Sequence, residues 1–188
     1  MNYMKLLKVA LSMLSLTGIA SCGSLKPCPI TTGTTKIVYS EFENSGIAIS
    51  TKYEITQDSL VWDYTELRYN RHLKDAVTYD RQDFEALVTE LSAIRFSAKD
   101  THDASAGGGG WGCSFYNDKE CYFHYNDAFI LSGAYEAVTD AILQFVASHK
   151  PEGLRLFDQL KAEPHESAMF GEFEQLPEPL EPYLIKKQ

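Results

Sequence analysis

Hydrophobic residues recur along this chain at two different periods, and the change of period orders its elements. Over residues 46–55, Ile47, Ile49, Thr51, Tyr53 and Ile55 share one side of an extended chain, while Ala48, Ser50, Lys52 and Glu54 share the other. That period of two marks a strand with one buried face. Leu60, Trp62 and Tyr64 alternate in the same way against Val61, Asp63 and Thr65, and shorter β-rich runs occupy residues 36–42 and 73–79. Asn44-Ser45-Gly46, Gln57-Asp58-Ser59 and Asn70-Arg71 supply turn chemistry between these runs. Spacings this short predict an antiparallel meander with one wet face.

From Asp80 the period becomes helical, with Phe84, Leu87, Val88, Leu91 and Ile94 on one stripe. Asp80 is placed to cap this helix, and Asp83 and Glu85 lie in its first turn, where the helix dipole favours acids. Residues 111–125 return to a period of two. Trp111, Cys113 and Phe115 precede, and Cys121, Phe123 and Tyr125 follow, a turn at Asn117-Asp118-Lys119, which predicts a hairpin. A second helix is expected from Ser132 or Gly133 to about His149, carrying Tyr135, Val138, Ile142, Phe145 and Val146. Pro151 ends it and opens a short third helix with Leu154, Phe157 and Leu160. Strands, helix, hairpin, helix is the order of an α+β domain: an antiparallel sheet of about five or six strands with two or three helices on one face. The domain spans residues 36–162, and the Pro/Glu-rich tail at 163–188 is expected to be extended or disordered.

The amino-terminal 21 residues fit neither period. Lys5 and Lys8 precede an apolar run that ends in Leu16-Thr17-Gly18-Ile19-Ala20-Ser21-Cys22. A basic start, a short apolar core and small residues at the end make a secretory signal peptide. The run is too short for a spanning helix, which needs roughly 20 apolar residues. Ile19-Ala20-Ser21-Cys22 resembles the lipobox of bacterial lipoproteins, with Ile19 in place of the commoner leucine. The resemblance implies that the Cys22 thiol receives a diacylglycerol, that cleavage falls before it, and that its new amine is acylated. It further implies outer-membrane sorting, because the residue after Cys22 is Gly23 and not the aspartate that retains such proteins at the inner membrane. Residues 22–35 then read as a lipidated start and tether, with a reach of roughly 40 Å when extended. In layout alone the remainder resembles small uncharacterised lipoproteins of Bacteroidota-type bacteria, a likeness that carries no residue-level role.

Charge and cysteines narrow the partners. The chain has a formal charge of −9, and loss of Lys5 and Lys8 with the signal leaves about −11. Such a balance argues against nucleic acid and against the domain lying on anionic lipid. The expected partners are the membrane, through the anchor at Cys22, and an envelope protein or glycan. Once Cys22 is lipidated, three of the four cysteines remain, and export permits a disulfide. If Phe115 stands opposite Lys119, Cys113 lands opposite Cys121, so Cys113–Cys121 is the expected bridge and Cys28 the odd thiol.

The longest irregular stretch, residues 95–110, holds Asp100, His102 and Asp103 and then Gly107, Gly108, Gly109 and Gly110 before Trp111. A hairpin follows these glycines, with no helix and no GKS/T, so a phosphate-binding P-loop is excluded. A recognition loop beside an exposed aromatic fits better, with Gly107–Gly110, Trp111 and His102 as candidate binding residues. Asp100, His102 and Asp103 have ligand chemistry but no metal-site spacing, and no metal or cofactor is expected. Ser105, Ser114 and Ser132 lack a nucleophile setting, so no catalytic residue is assigned. Tyr53, Tyr64, Tyr69, Tyr79, Tyr116, Tyr122 and Tyr125 offer either sheet packing or an aromatic surface for sugars and peptides. The expectation is a non-enzymatic, lipid-anchored binding or accessory module. The alternative is an envelope hydrolase or metal-dependent enzyme whose site assembles only in space.

Overall fold

The computed structural model describes residues 29–43, 48–103, 109–127, 130–162 and 175–185. The signal, Cys22 and Cys28 lie outside these residues. The chain opens with a meander, β1 (Lys36–Glu43), β2 (Ile49–Thr56), β3 (Ser59–Glu66) and β4 (Arg71–Thr78), and continues into helix α1 (Arg81–Ala93). A short β5 (His102–Asp103) precedes the hairpin of β6 (Gly109–Asn117) and β7 (Glu120–Asp127). Then come β8 (Ile130–Leu131), α2 (Ala134–Ser148) and α3 (Glu152–Ala162). Six strands make one antiparallel sheet in the order β4-β3-β2-β1-β6-β7, and β5 pairs with β8 apart from it.

Alternation assigns the two faces as the sequence pattern predicts. Ile37, Tyr39, Ile55, Leu60, Trp62, Tyr64, Leu73, Cys113, Phe115 and Tyr125 are buried on one side of the sheet. The helices pack there, inserting Phe84, Leu87, Val88 and Leu91 from α1, Val138, Ile142 and Phe145 from α2, and Leu154 and Phe157 from α3. Each such side chain contributes ~1.5–3 kcal/mol of gross burial, which is what holds the helices on the sheet. On the other face, no side chain from Lys36, Val38, Ser40 and Phe42 of β1 to His124 and Asn126 of β7 is buried.

The helix ends follow local chemistry. The Asp80 carboxylate accepts the Gln82 N–H at 2.9 Å and caps α1. Gly133 caps α2 in the left-handed region at φ 60°, and a Cβ there would overlap the Asp100 carboxylate. Within the core, the Tyr125 and Thr139 hydroxyls are 2.9 Å apart and tie β7 to α2.

Three regions depart from expectation. Residues 29–35 are not simply tether: Ile30 is in the core, the Thr34 and Tyr122 hydroxyls are 2.6 Å apart, and the Thr35 N–H bonds to the Tyr116 carbonyl at 2.9 Å. Part of the Pro/Glu-rich tail is also ordered against the fold. Glu178–Tyr183 forms a 3-10 turn that buries Leu180, the Tyr183 ring lies over Gly153, and the Ile185 N–H reaches the His72 carbonyl at 2.8 Å. That last bond lies on the outer edge of β4, which the segment partly covers.

The expected Cys113–Cys121 bridge is not formed, and both thiols are free. The turn holds only Asp118 and Lys119 between paired Asn117 and Glu120, with Asp118 at φ 52°, and a bulge follows at Phe115/Tyr116. Cys113 therefore stands opposite Tyr125 and faces the core, whereas Cys121 stands opposite Tyr116 and is exposed. Burial pushes the Cys113 thiol far up, away from its reactive thiolate form. A thiol reagent applied to the folded chain is expected to modify Cys121 and spare Cys113 until denaturant is added; equal labelling of the two contradicts this register. Leu180→Ala is expected to destabilise the domain by about 2–4 kcal/mol in urea unfolding, and an unchanged midpoint would mean that the tail does not pack.

Candidate functional site

The chain enters the domain at the end of the sheet formed by Thr35, the Asp118-Lys119 turn and the β2–β3 turn. Of the candidate binding residues, Gly109, Gly110, Trp111 and His102 lie toward the other end. There the strand register sets Trp111 beside Glu41, Glu41 beside Thr51 and Thr51 beside Tyr64, all on the helix-bearing side. The Tyr39 hydroxyl donates to Glu41 Oε1 at 3.1 Å, and the Tyr39 ring stacks on Tyr53 with centroids 6.2 Å apart.

Electrostatics mark this acid. Burial raises the Glu41 carboxyl above its ordinary value of 4.5, while the Tyr39 hydrogen bond and the Lys161 ammonium work in the other direction. Burial, with Glu41 next, pushes the Tyr39 hydroxyl far up, so it stays a neutral donor. Tyr53 is raised by burial and then by Glu41 and Asp158. One row further out, Glu66 is buried with Arg71 Nη1 at 3.5 Å, and the Arg71 guanidinium covers the Tyr69 ring at 4.5 Å. The result is a half-buried hydrogen-bond acceptor among aromatic rings.

His102 lies on the other side of β7. Its Nδ1 is 2.9 Å from the Asn126 carbonyl oxygen, and its ring contacts Tyr135 and Tyr125 at centroid distances of 4.7 and 6.2 Å. A carbonyl only accepts, so Nδ1 carries the hydrogen of this bond. Below it, the Asp100 carboxylate accepts the Ser97 N–H, and the Thr101 and Ser132 hydroxyls are 2.9 Å apart. These contacts hold the loop to the start of α2.

The sequence-predicted residues are thus divided. Gly107 and Gly108 lie outside the described residues. Gly109 and Gly110 belong to β6, where they pair with Glu43 and Phe42, so the irregular stretch is shorter than the glycine run suggests. Trp111 and His102 flank the same end of β7, Trp111 opposite Asp127 and His102 on the Asn126 carbonyl. Among the described residues, no group of three or more His, Cys, Asp or Glu side chains is placed to hold a metal ion. The tyrosines divide as well: Tyr64 and Tyr125 are core, Tyr79 packs on Phe145, and Tyr116 carries Lys36 over its ring on the open face. Sequence reasoning passed over Glu41, although an acid two residues after Tyr39 breaks the apolar alternation of β1. It also passed over Phe42, which is 49% exposed. Compared with known proteins, the chain matches no family model, no curated sequence and no solved structure.

The raised Glu41 carboxyl has a defined sign. The folded state holds this proton more tightly than the unfolded chain, so the contribution favours folding below the ordinary carboxylate range and is lost as pH rises through the folded pKa. Glu41→Gln keeps an acceptor for Tyr39 and removes the buried charge. Its Tm is expected to exceed that of the parent at pH 7, with the gap closing as pH falls below the ordinary carboxylate range; a lower Tm at pH 7 would show that the ionised carboxylate is stabilising.

Proposed function

We propose that this chain is a lipid-anchored cell-envelope protein that works as a non-enzymatic binding or accessory module, sorted to the outer membrane. The observation that carries the reading is Ile19-Ala20-Ser21-Cys22 at the end of a short basic and apolar leader. Two or more acyl chains at Cys22 hold a protein stably, since each buried methylene contributes ~0.8 kcal/mol and a single chain binds only marginally. The domain geometry suits such an anchor. The chain enters at one end of β1, and the Trp111–Glu41 lip lies toward the other, about 20 Å along a strand rising ~3.3 Å per residue. A domain tethered at the first end presents the second outward, to an envelope protein or glycan.

Metabolic labelling with a radioactive fatty acid tests the anchor. The parent chain is expected to carry label and Cys22→Ser to carry none, accumulating as uncleaved precursor. Undiminished labelling of Cys22→Ser overturns the proposal.

A further inference from the structure

We propose that the carboxy-terminal segment 176–185 is a detachable strap guarding the outer edge of β4, and that two copies of the chain pair through that edge when it lifts. The inference does not depend on lipid at Cys22 or on a ligand at the Trp111 end.

β4 is an edge strand of eight residues, paired with β3 along its whole length without a bulge. Such an edge presents a row of free N–H and C=O groups that templates pairing with another chain. The bond from the Ile185 N–H to the His72 carbonyl shows which groups face outward. Backbone direction alternates along a strand, so His72, Lys74 and Ala76 face out, and Leu73 and Asp75 face β3. Two guards occupy this edge. The Asp75 carboxylate accepts the Ala76 N–H at 2.8 Å with one oxygen and the Gly153 N–H at 2.7 Å with the other. The strap guards the remainder, with Leu184 opposite Leu73 and Ile185 on His72.

The strap's hold is local. It turns away from β4 as the 3-10 turn Glu178–Tyr183 and lays a single bridge on the strand. Its grip comes from Leu180, buried in the core, and from the Tyr183 ring over Gly153, while Ile185 is 41% exposed. Lifting it leaves the six-strand ladder and its hydrogen bonds intact. A second β4 fits the vacated edge because the strap itself runs antiparallel there. About a two-fold axis at Leu73, the copy's Leu73 stands where Leu184 stands now. His72 then faces the copy's Lys74 in a hydrogen-bonded pair, and Arg71 faces the copy's Asp75, opposite in charge.

Native mass spectrometry of the full chain, released from non-ionic detergent over a concentration series, counts the copies. The parent is expected to be monomeric. Ile185→Pro removes the N–H that reaches His72, and Leu180→Ala removes the buried anchor. Only strap-free chains pair, so each change is expected to tighten self-association by at least roughly tenfold. Adding Lys74→Pro, at an exposed residue whose N–H faces outward, is expected to return Ile185→Pro to the monomer. An excess of a synthetic peptide of residues 175–185 should do the same, and it decides the matter if Lys74→Pro proves unfolded by its melting curve. Monomers in both strap variants, or a parent that associates as tightly as they do, overturn the proposal. Association that survives the peptide and a folded Lys74→Pro variant would lie on another surface and overturns it too.

Discussion

β1 is hydrogen-bonded on both sides, to β2 by a short connection and, from beyond α1, to β6. This second pairing closes a long stretch of chain and is costly in entropy, but it joins the meander and the hairpin into one sheet. Ile37 against Phe115 and Tyr39 against Cys113 then form a continuous apolar surface wide enough for three helices. The same register puts Glu41 beside Trp111 on the helix side and Phe42 beside Gly110 on the open side. Shifting it by one residue would exchange the two faces and place the charged row in the core.

The two faces consequently offer different chemistry. On the helix side, a carboxylic acid is held half-buried by aromatic neighbours and a tyrosine hydroxyl, and its protonation is linked to stability. On the open side, Lys52, Asp63 and Lys74 stand in one cross-strand row and offset one another. Bulky residues occur on the first face because burial rewards them. The second keeps small and polar residues beside Phe42, as the solvated face of an antiparallel sheet does.

Much of this architecture is legible in the sequence because it depends on periodicity. The meander, α1 with its Asp80 cap, the hairpin and the two later helices all follow from where apolar residues recur. Register does not. A two-residue turn with Asp118 in the left-handed region and a bulge at Tyr116 move Cys121 away from Cys113, and alternation alone is compatible with either pairing. Composition misled in the tail, where Leu180 finds a core site and Tyr183 fits because residue 153 is glycine. Ile30 was hidden in the same way among prolines and threonines. At the sites, His102 and Trp111 were visible as residue types, whereas the exposure of Phe42 depends on Gly110 and Ser50, which become its neighbours only in the assembled sheet.

The measurement that bears most directly on this account is the set of cross-strand backbone proton contacts between β1 and β6 in the NMR spectrum of the folded chain. The account predicts contacts linking Tyr39 with Cys113 and Glu41 with Trp111, together with contacts linking Cys113 to Tyr125 across the hairpin. Contacts that set Cys113 against Cys121, or that pair Phe42 with a residue other than Gly110 on β6, would contradict the sheet on which both faces depend.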